Sequence, residues 1–223
     1  VGVNCGIMDP FAVGMGKKEH AIALDCASLK YDYDPLSMKG YKLVIANTNK
    51  KRGLADSKYN ERRKECDAAV SAISAVHKIN YLCELNEEEF NNYSSQIQND
   101  TIRRRAQHAV SENQRVITAI TALKTGNLQK FGQLMNASHK SLKEDYEVTG
   151  TELDTLAEEG QHLEGVLGSR MTGAGFGGCT VTLVAEDKVD NYIRKVSQLY
   201  KSKVNLEATF YIADIGEGAR KLY

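Results

Sequence analysis

Arg170-Met-Thr-Gly-Ala-Gly-Phe-Gly-Gly-Cys-Thr-Val-Thr-Leu-Val184 sets four glycines within six residues, Gly173 to Gly178, directly ahead of an apolar run, Cys179 to Val184. Glycine reaches positive φ and leaves no Cβ between backbone N–H groups and a ligand. Several amides converging in such a loop make a concavity that favours anions, phosphate above all. The same pattern also suits a plain turn entering a buried strand. No Gly-Lys-Ser/Thr follows, so the loop is not a Walker A sequence. It precedes a strand instead of opening a helix, so it is not a dinucleotide-binding fingerprint either.

Outward from the loop, the pattern alternates between sheet and helix. Downstream, Asp187 to Tyr200 reads as a helix and Ala208 to Ile212 as a strand. Upstream lies a long helical stretch. Ser57 to His77 places Cys66, Ala69, Val70 and Ile73 at the spacing of a buried stripe. Asn86-Glu-Glu-Glu89 is an N-cap followed by first-turn acids. Asp100 to Leu123 is a helix with Gly126 just past its end. Asn127 to Asp145 and Gly150 to His162 are two more, and the helical run ends at Gly165 to Gly168. Ahead of it stand an apolar strand, Tyr41 to Asn47, with Lys50, Lys51 and Arg52 in the loop after it, and a turn, Pro35 to Gly40. Two strands, His20 to Cys26 and Leu29 to Tyr33, come before that turn. Met8 to Met15 reads as a short helix with Pro10 in its first turn, where proline fits. That puts Asp9 at or beside the N-cap, a place aspartate favours. Strand, helices, strand, helix, strand makes an α+β layer fold with an antiparallel or mixed sheet.

Composition narrows the function classes. The 223 residues are 42% hydrophobic and 26% charged, with 29 basic against 29 acidic side chains. That balance favours neither nucleic acid nor an anionic membrane as partner. The densest basic cluster, Arg103-Arg-Arg105, reads as a solvated helix face. No apolar run approaches the roughly 20 residues of a membrane span, and no signal peptide opens the chain. Five cysteines, Cys5, Cys26, Cys66, Cys83 and Cys179, form no Cys-x-x-Cys pair, so reduced thiols in a cytoplasmic protein are expected. The histidines, His20, His77, His108, His139 and His162, are spread along the chain and read as structural or exposed.

Five stretches together resemble the galactokinase family of the GHMP kinases: Gly2-Val-Asn-Cys-Gly-Ile-Met-Asp-Pro-Phe11 running into Met15 to Cys26; Asn47 to Cys66, with Leu-Ala-Asp-Ser-Lys-Tyr59 inside it; His108-Ala-Val-Ser-Glu-Asn-Gln-Arg-Val116; Met135 to Asp154; and the glycine loop. The glycine loop points to the superfamily, and the Gly-Ile-Met-Asp9 and Leu-Ala-Asp-Ser-Lys-Tyr59 segments to galactokinase within it. The resemblance implies a ferredoxin-like plait with added helices over residues 37–223, preceded in residues 1–36 by the end of an N-terminal domain. It implies phosphoryl transfer from ATP, with magnesium, to the C1 hydroxyl of galactose. A kinase of N-acetylgalactosamine or arabinose, or a non-catalytic galactose sensor on the same scaffold, are the alternatives.

By the resemblance, Asp9 falls on the catalytic base, and Gly6 and Tyr59 on sugar-contacting positions. Gly173, Ala174, Gly175 and Gly177 fall on the loop beside the nucleotide phosphates. The residues themselves also allow plainer roles: Asp9 as a helix cap, Gly6 as a turn glycine, Tyr59 as packing. Proline at position 10 departs from the glutamine the family pattern leads one to expect, which bears on helix geometry more than on the carboxylate. The family's phosphate loop, magnesium ligands and N-terminal sugar-binding motif have no counterpart in this sequence. The chain therefore reads as the C-terminal portion of a longer, monomeric kinase. Alone, it is expected to be inactive and prone to self-association through its N-terminal segment.

Overall fold

A computed structural model describes residues 6–50 and 55–221. Lys51 and Arg52 lie outside the described residues, as does Cys5. The helix α1 (Met8–Met15) leads into a hairpin of β1 (His20–Leu24) and β2 (Tyr31–Pro35), which form a sheet of their own. Then follow β3 (Tyr41–Asn47), α2 (Ala55–Ser74), α3 (Glu87–Tyr93), α4 (Asp100–Lys124), α5 (Leu128–Glu144), α6 (Thr151–Gln161), β4 (Val166–Thr172), β5 (Cys179–Ala185), α7 (Val189–Val204) and β6 (Thr209–Ala213). The larger sheet runs β4-β5-β3-β6, antiparallel throughout. In order of appearance that is second, third, first, fourth, the ferredoxin-like plait. The helices α2 to α6 are inserted between its first two strands.

Strand alternation explains how the sheet is covered. Val44 and Ala46 of β3 point to one face and pack under Leu156 of α6 and Tyr192, Val196 and Tyr200 of α7. Leu43 and Val181 point the other way, toward α4, α5 and the β1–β2 hairpin. The hairpin is tied down by the buried Asp34, whose carboxylate meets Lys124 at 3.3 Å, and by buried Leu36. A second core joins α2, α3 and α4 through Ala69, Ile73, Phe90, Ala106 and Val110. Asn86 caps α3 and Glu89 returns the bond, a capping box.

Three expectations need correction. The stretch Val166–Thr172 is a strand, so the glycine loop is the turn of a β4–β5 hairpin, not merely the entry to one strand. The strand was hidden because Gly168, Ser169 and Arg170 break its apolar pattern, and each is there for a reason. A Cβ on Gly168 would fall 2.2 Å from the Gly132 carbonyl oxygen, so only paired glycines let α5 lie on β4. The second correction is Arg105, which is 1% exposed and not part of a solvated face. The strand beginning at His20 also stops at Leu24, short of Cys26. Among the described residues no helix is long and apolar enough to cross a membrane.

Candidate functional site

A cavity of about 570 Å³ opens between α2, the segment after α5 and the glycine loop. Tyr59, Arg62, Arg63, Cys66 and Asp67 recur at three-and-four spacing, so one side of α2 supplies one wall. Gly173, Ala174 and Phe176 supply the opposite wall, and Gly6 lines the same cavity. A Cβ built on Gly6 would lie 3.6 Å from Tyr59 Oη, so the Gly6 backbone and the tyrosine hydroxyl are close neighbours. Four of the seven residues singled out from the sequence thus share one cavity: Gly6, Tyr59, Gly173 and Ala174.

The other three are placed differently. Gly175 is buried, and its missing Cβ makes room for protein, not ligand: a Cβ there would fall 2.1 Å from Val148 O. Val148 O also accepts the Phe176 N–H at 2.7 Å. Gly177 stands at φ +119°, and a Cβ built on it would lie 3.5 Å from the Lys50 side chain. Asp9 is the second residue of α1 and exposed; the N-cap is Ile7, whose side chain makes no capping bond. Asp9 is not on the cavity wall.

The loop that receives Gly175 is itself held from behind by two buried arginines. Arg62 donates from Nε to Tyr146 O at 2.7 Å and from Nη2 to Glu147 O at 3.2 Å. Arg105 donates to Asp145 O at 2.5 Å and pairs with Glu147 at 2.6 Å. Both arginines also meet Glu65 Oε2, at 2.9 and 3.3 Å. Three successive carbonyls, 145 to 147, are thus fixed by guanidinium groups from α2 and α4. The hydrogen bond from Arg105 holds the Glu147 carboxyl below the usual carboxylate range. Sequence reading missed this support. The available signal was the 100° step per residue, which sends Arg103, Arg104 and Arg105 in three different directions.

On the loop's other side, α5 seals the free edge of β4. Ser169 N donates to Asn136 Oδ1 at 2.8 Å and Met171 N to His139 Nδ1 at 3.2 Å. Asn136 and His139 are one helical turn apart, so one face of α5 replaces a neighbouring strand. Because Nδ1 accepts, the ring proton of His139 sits on Nε2, which faces Asp154 Oδ1 at 3.4 Å. Burial pushes the Asp154 carboxyl up, but His139, Thr149 and Lys143 together outweigh it and leave it low.

Burial raises the Cys66 thiol and pushes the Tyr146 phenol well above its ordinary value, so both stay protonated at neutral pH. Asp67 is engaged by Arg63 at 2.9 and 3.1 Å. Among the described residues the cavity wall therefore offers tyrosine hydroxyls and backbone, while its guanidinium groups and the Asp67 carboxylate are already paired. Exposed Asp9 lies in the chain just beyond Gly6, outside the cavity wall.

The fit to a nucleotide and its metal is uneven. Gly173 and Ala174 are exposed at the cavity, and among the described residues no acceptor meets their amides, as a phosphate contact requires. For a metal ion, His139, Asp154 and Glu158 bring ligand atoms within 4.8 Å of one another. Lys143 already occupies that group, 2.5 Å from Glu158 and 3.8 Å from Asp154. The protonated Nε2 of His139 closes it further, so these residues do not form a magnesium site.

Residues 119–202 match the family model described as GHMP kinases C terminal. Over its whole length the chain is 57% identical to galactokinase of Clostridium acetobutylicum and 55% identical to galactokinase of Bacillus subtilis. It spans 57% of the length of each of those relatives. The crystal structure of Lactococcus lactis galactokinase complexed with galactose superposes on 99% of the chain, and on 57% of that protein, with a TM-score of 0.96 at 52% identity. The crystal structure of L. major mevalonate kinase in complex with R-mevalonate shares the fold at 18% identity and a TM-score of 0.54 over 90% of this chain and 50% of that one.

Proposed function

The chain belongs to the GHMP kinases, and from that premise we propose that it is the C-terminal part of a galactokinase, which transfers the γ-phosphoryl of ATP to the C1 hydroxyl of galactose. The observation that carries this reading is the meeting of Gly6, Tyr59 and the exposed glycine-loop residues Gly173 and Ala174 in one cavity. Tyr59 Oη and the Gly6 backbone hold the sugar, and Asp9 accepts the proton of the attacking hydroxyl. The glycine loop flanks the phosphates with its amides. Gly175 and Gly177 serve that loop by shaping it, as their close neighbours Val148 and Lys50 indicate. ATP with magnesium supplies the phosphoryl group and neutralises its charge. The residues described fit the phosphate side of that requirement and offer no metal site.

Residues 1–36 belong in this reading to the domain that precedes the plait, and 37–223 to the plait itself. In support, among the described residues β1 and β2 pair only with each other. The exposed apolar side chains Met8, Val13 and Leu29 give the 223-residue chain a surface for self-association. The cytoplasm is the setting that suits the reduced Cys26, Cys66 and Cys83.

The test is coupled ADP release by the longer kinase, with magnesium-ATP and a panel of galactose, N-acetylgalactosamine and arabinose. Galactose-dependent turnover with the highest kcat/KM is expected. Preference for another sugar would reassign the substrate, and sugar binding without turnover would make the protein a sensor.

A further inference from the structure

The helix that carries Asp9 is poorly anchored by its own residues. It is eight residues long, buries none of them and has no side-chain cap at its start. Helices shorter than about 12–15 residues are marginal without tertiary support. Near its start, Phe11 packs edge-on against Tyr31 of the hairpin, ring centroids 5.2 Å apart.

What holds it is at its other end. The segment after β6 returns across the molecule, and Ala219 N donates to Val13 O at 2.7 Å and Gly218 N to Gly16 O at 2.8 Å. Tyr33 Oη donates to Met15 O at 2.6 Å. Three carbonyls at the C-terminal end of α1, which the helix cannot satisfy itself, thus find donors. The approach is so close that both partners have to be glycine. A Cβ on Gly218 would fall 2.5 Å from Gly16 N, and one on Gly16 would fall 2.8 Å from Ala12 O and 3.1 Å from Gly218 N. Neither glycine takes a positive φ, so contact and not conformation demands it.

We propose that Gly218 and Ala219, with Gly16 as their seat, are positioning residues that clamp α1 and so set where Asp9 stands. The inference rests on the reading of Asp9 as the base. Asp9 is about one helical turn from Val13, roughly 6 Å along the axis. A loosened clamp therefore moves the carboxylate relative to the attacking hydroxyl, and a displacement of about 1 Å lowers turnover on the order of 100-fold.

Two measurements test this. In the 223-residue chain, hydrogen exchange is followed at the α1 amides, including Phe11 N–H, which donates to Ile7 O. Ala219→Pro removes the N–H, Gly218→Ala forces the backbones apart, and Ala219→Gly keeps the N–H and serves as the rescuing control. The first two should speed exchange in α1 about tenfold and leave β3 to β6 unchanged; the third should match the wild type. In the longer kinase the same two variants should lower kcat about 10- to 100-fold, with KM for ATP within about twofold, and Ala219→Gly should turn over normally. Unchanged exchange in α1 overturns the clamp. Faster exchange with unchanged kcat, while Asp9→Asn still inactivates, overturns the positioning role. If Asp9→Asn is active too, the base assignment fails and takes the positioning role with it.

Discussion

Replacing Gly175 with alanine should cost far more than the same change at Gly173, although the two backbones are alike. Their φ values are +82° and +81°. A side chain held in the left-handed region costs about 1–2 kcal/mol at either position. At Gly173 nothing lies within 4 Å of the added Cβ, so that strain is the whole effect. At Gly175 the Cβ lands 2.1 Å from Val148 O, where ordinary contact begins at 3.4 Å, so the two backbones have to separate. Separation breaks the bond from Phe176 N–H to Val148 O, worth about 1 kcal/mol. It also loosens Val148 against Leu142, Leu153 and Met171, a buried cluster, for about another 1 kcal/mol. The expected loss is therefore about 3–4 kcal/mol for Gly175→Ala against about 1–2 kcal/mol for Gly173→Ala. Urea unfolding of the 223-residue chain measures both. Equal losses, within about 0.5 kcal/mol, would refute the docking of the glycine loop on Val148.

Other changes probe the rest of the site. Burial holds His108 neutral down to a pKa of about 4, below the ordinary 6.5, so the unfolded chain takes up its proton first as pH falls. Stability from this group is fully present above pH 6.5 and should decline by about 3 kcal/mol toward pH 4; His108→Asn should flatten that part of a denaturation profile. Tyr59→Phe removes one hydroxyl from the cavity wall, and on the proposed sugar contact the KM for galactose in the longer kinase should rise about two- to tenfold, with little change for ATP. Arg105→Leu leaves Asp145 O without its buried donor and Glu65 with Arg62 alone, and should cost about 3 kcal/mol in urea unfolding; a loss under about 1 kcal/mol would mean the arginine is dispensable to the loop.

The sheet and helices were legible where one period dominated. Tyr41–Asn47 was readable to the residue because buried Val44 and Ala46 alternate with half-buried neighbours in an apolar run. The strand Val166–Thr172 was not, because its neighbours dictate its composition: Gly168 answers Gly132 across a helix contact. Such demands come from another part of the chain and leave no local period. The cavity was legible only through family resemblance, since nothing in spacing joins Gly6 to Tyr59. Even then the resemblance treated the glycines of the loop as equals. Geometry separates them: Gly173 is open to the cavity and Gly175 is packed against Val148. The clamp on α1 was invisible in sequence, because its donors are backbone N–H groups that any residue but proline carries.

The central claim is that Asp9 takes the proton of the sugar hydroxyl, and the most direct test is turnover by the longer kinase carrying Asp9→Asn. Asparagine keeps the size and the hydrogen bonding and loses the basic oxygen. With saturating galactose and magnesium-ATP, kcat should fall on the order of 10²–10⁴-fold, while affinity for galactose changes far less. A kcat within about threefold of the wild type, smaller than the loss of any general base, would contradict the account.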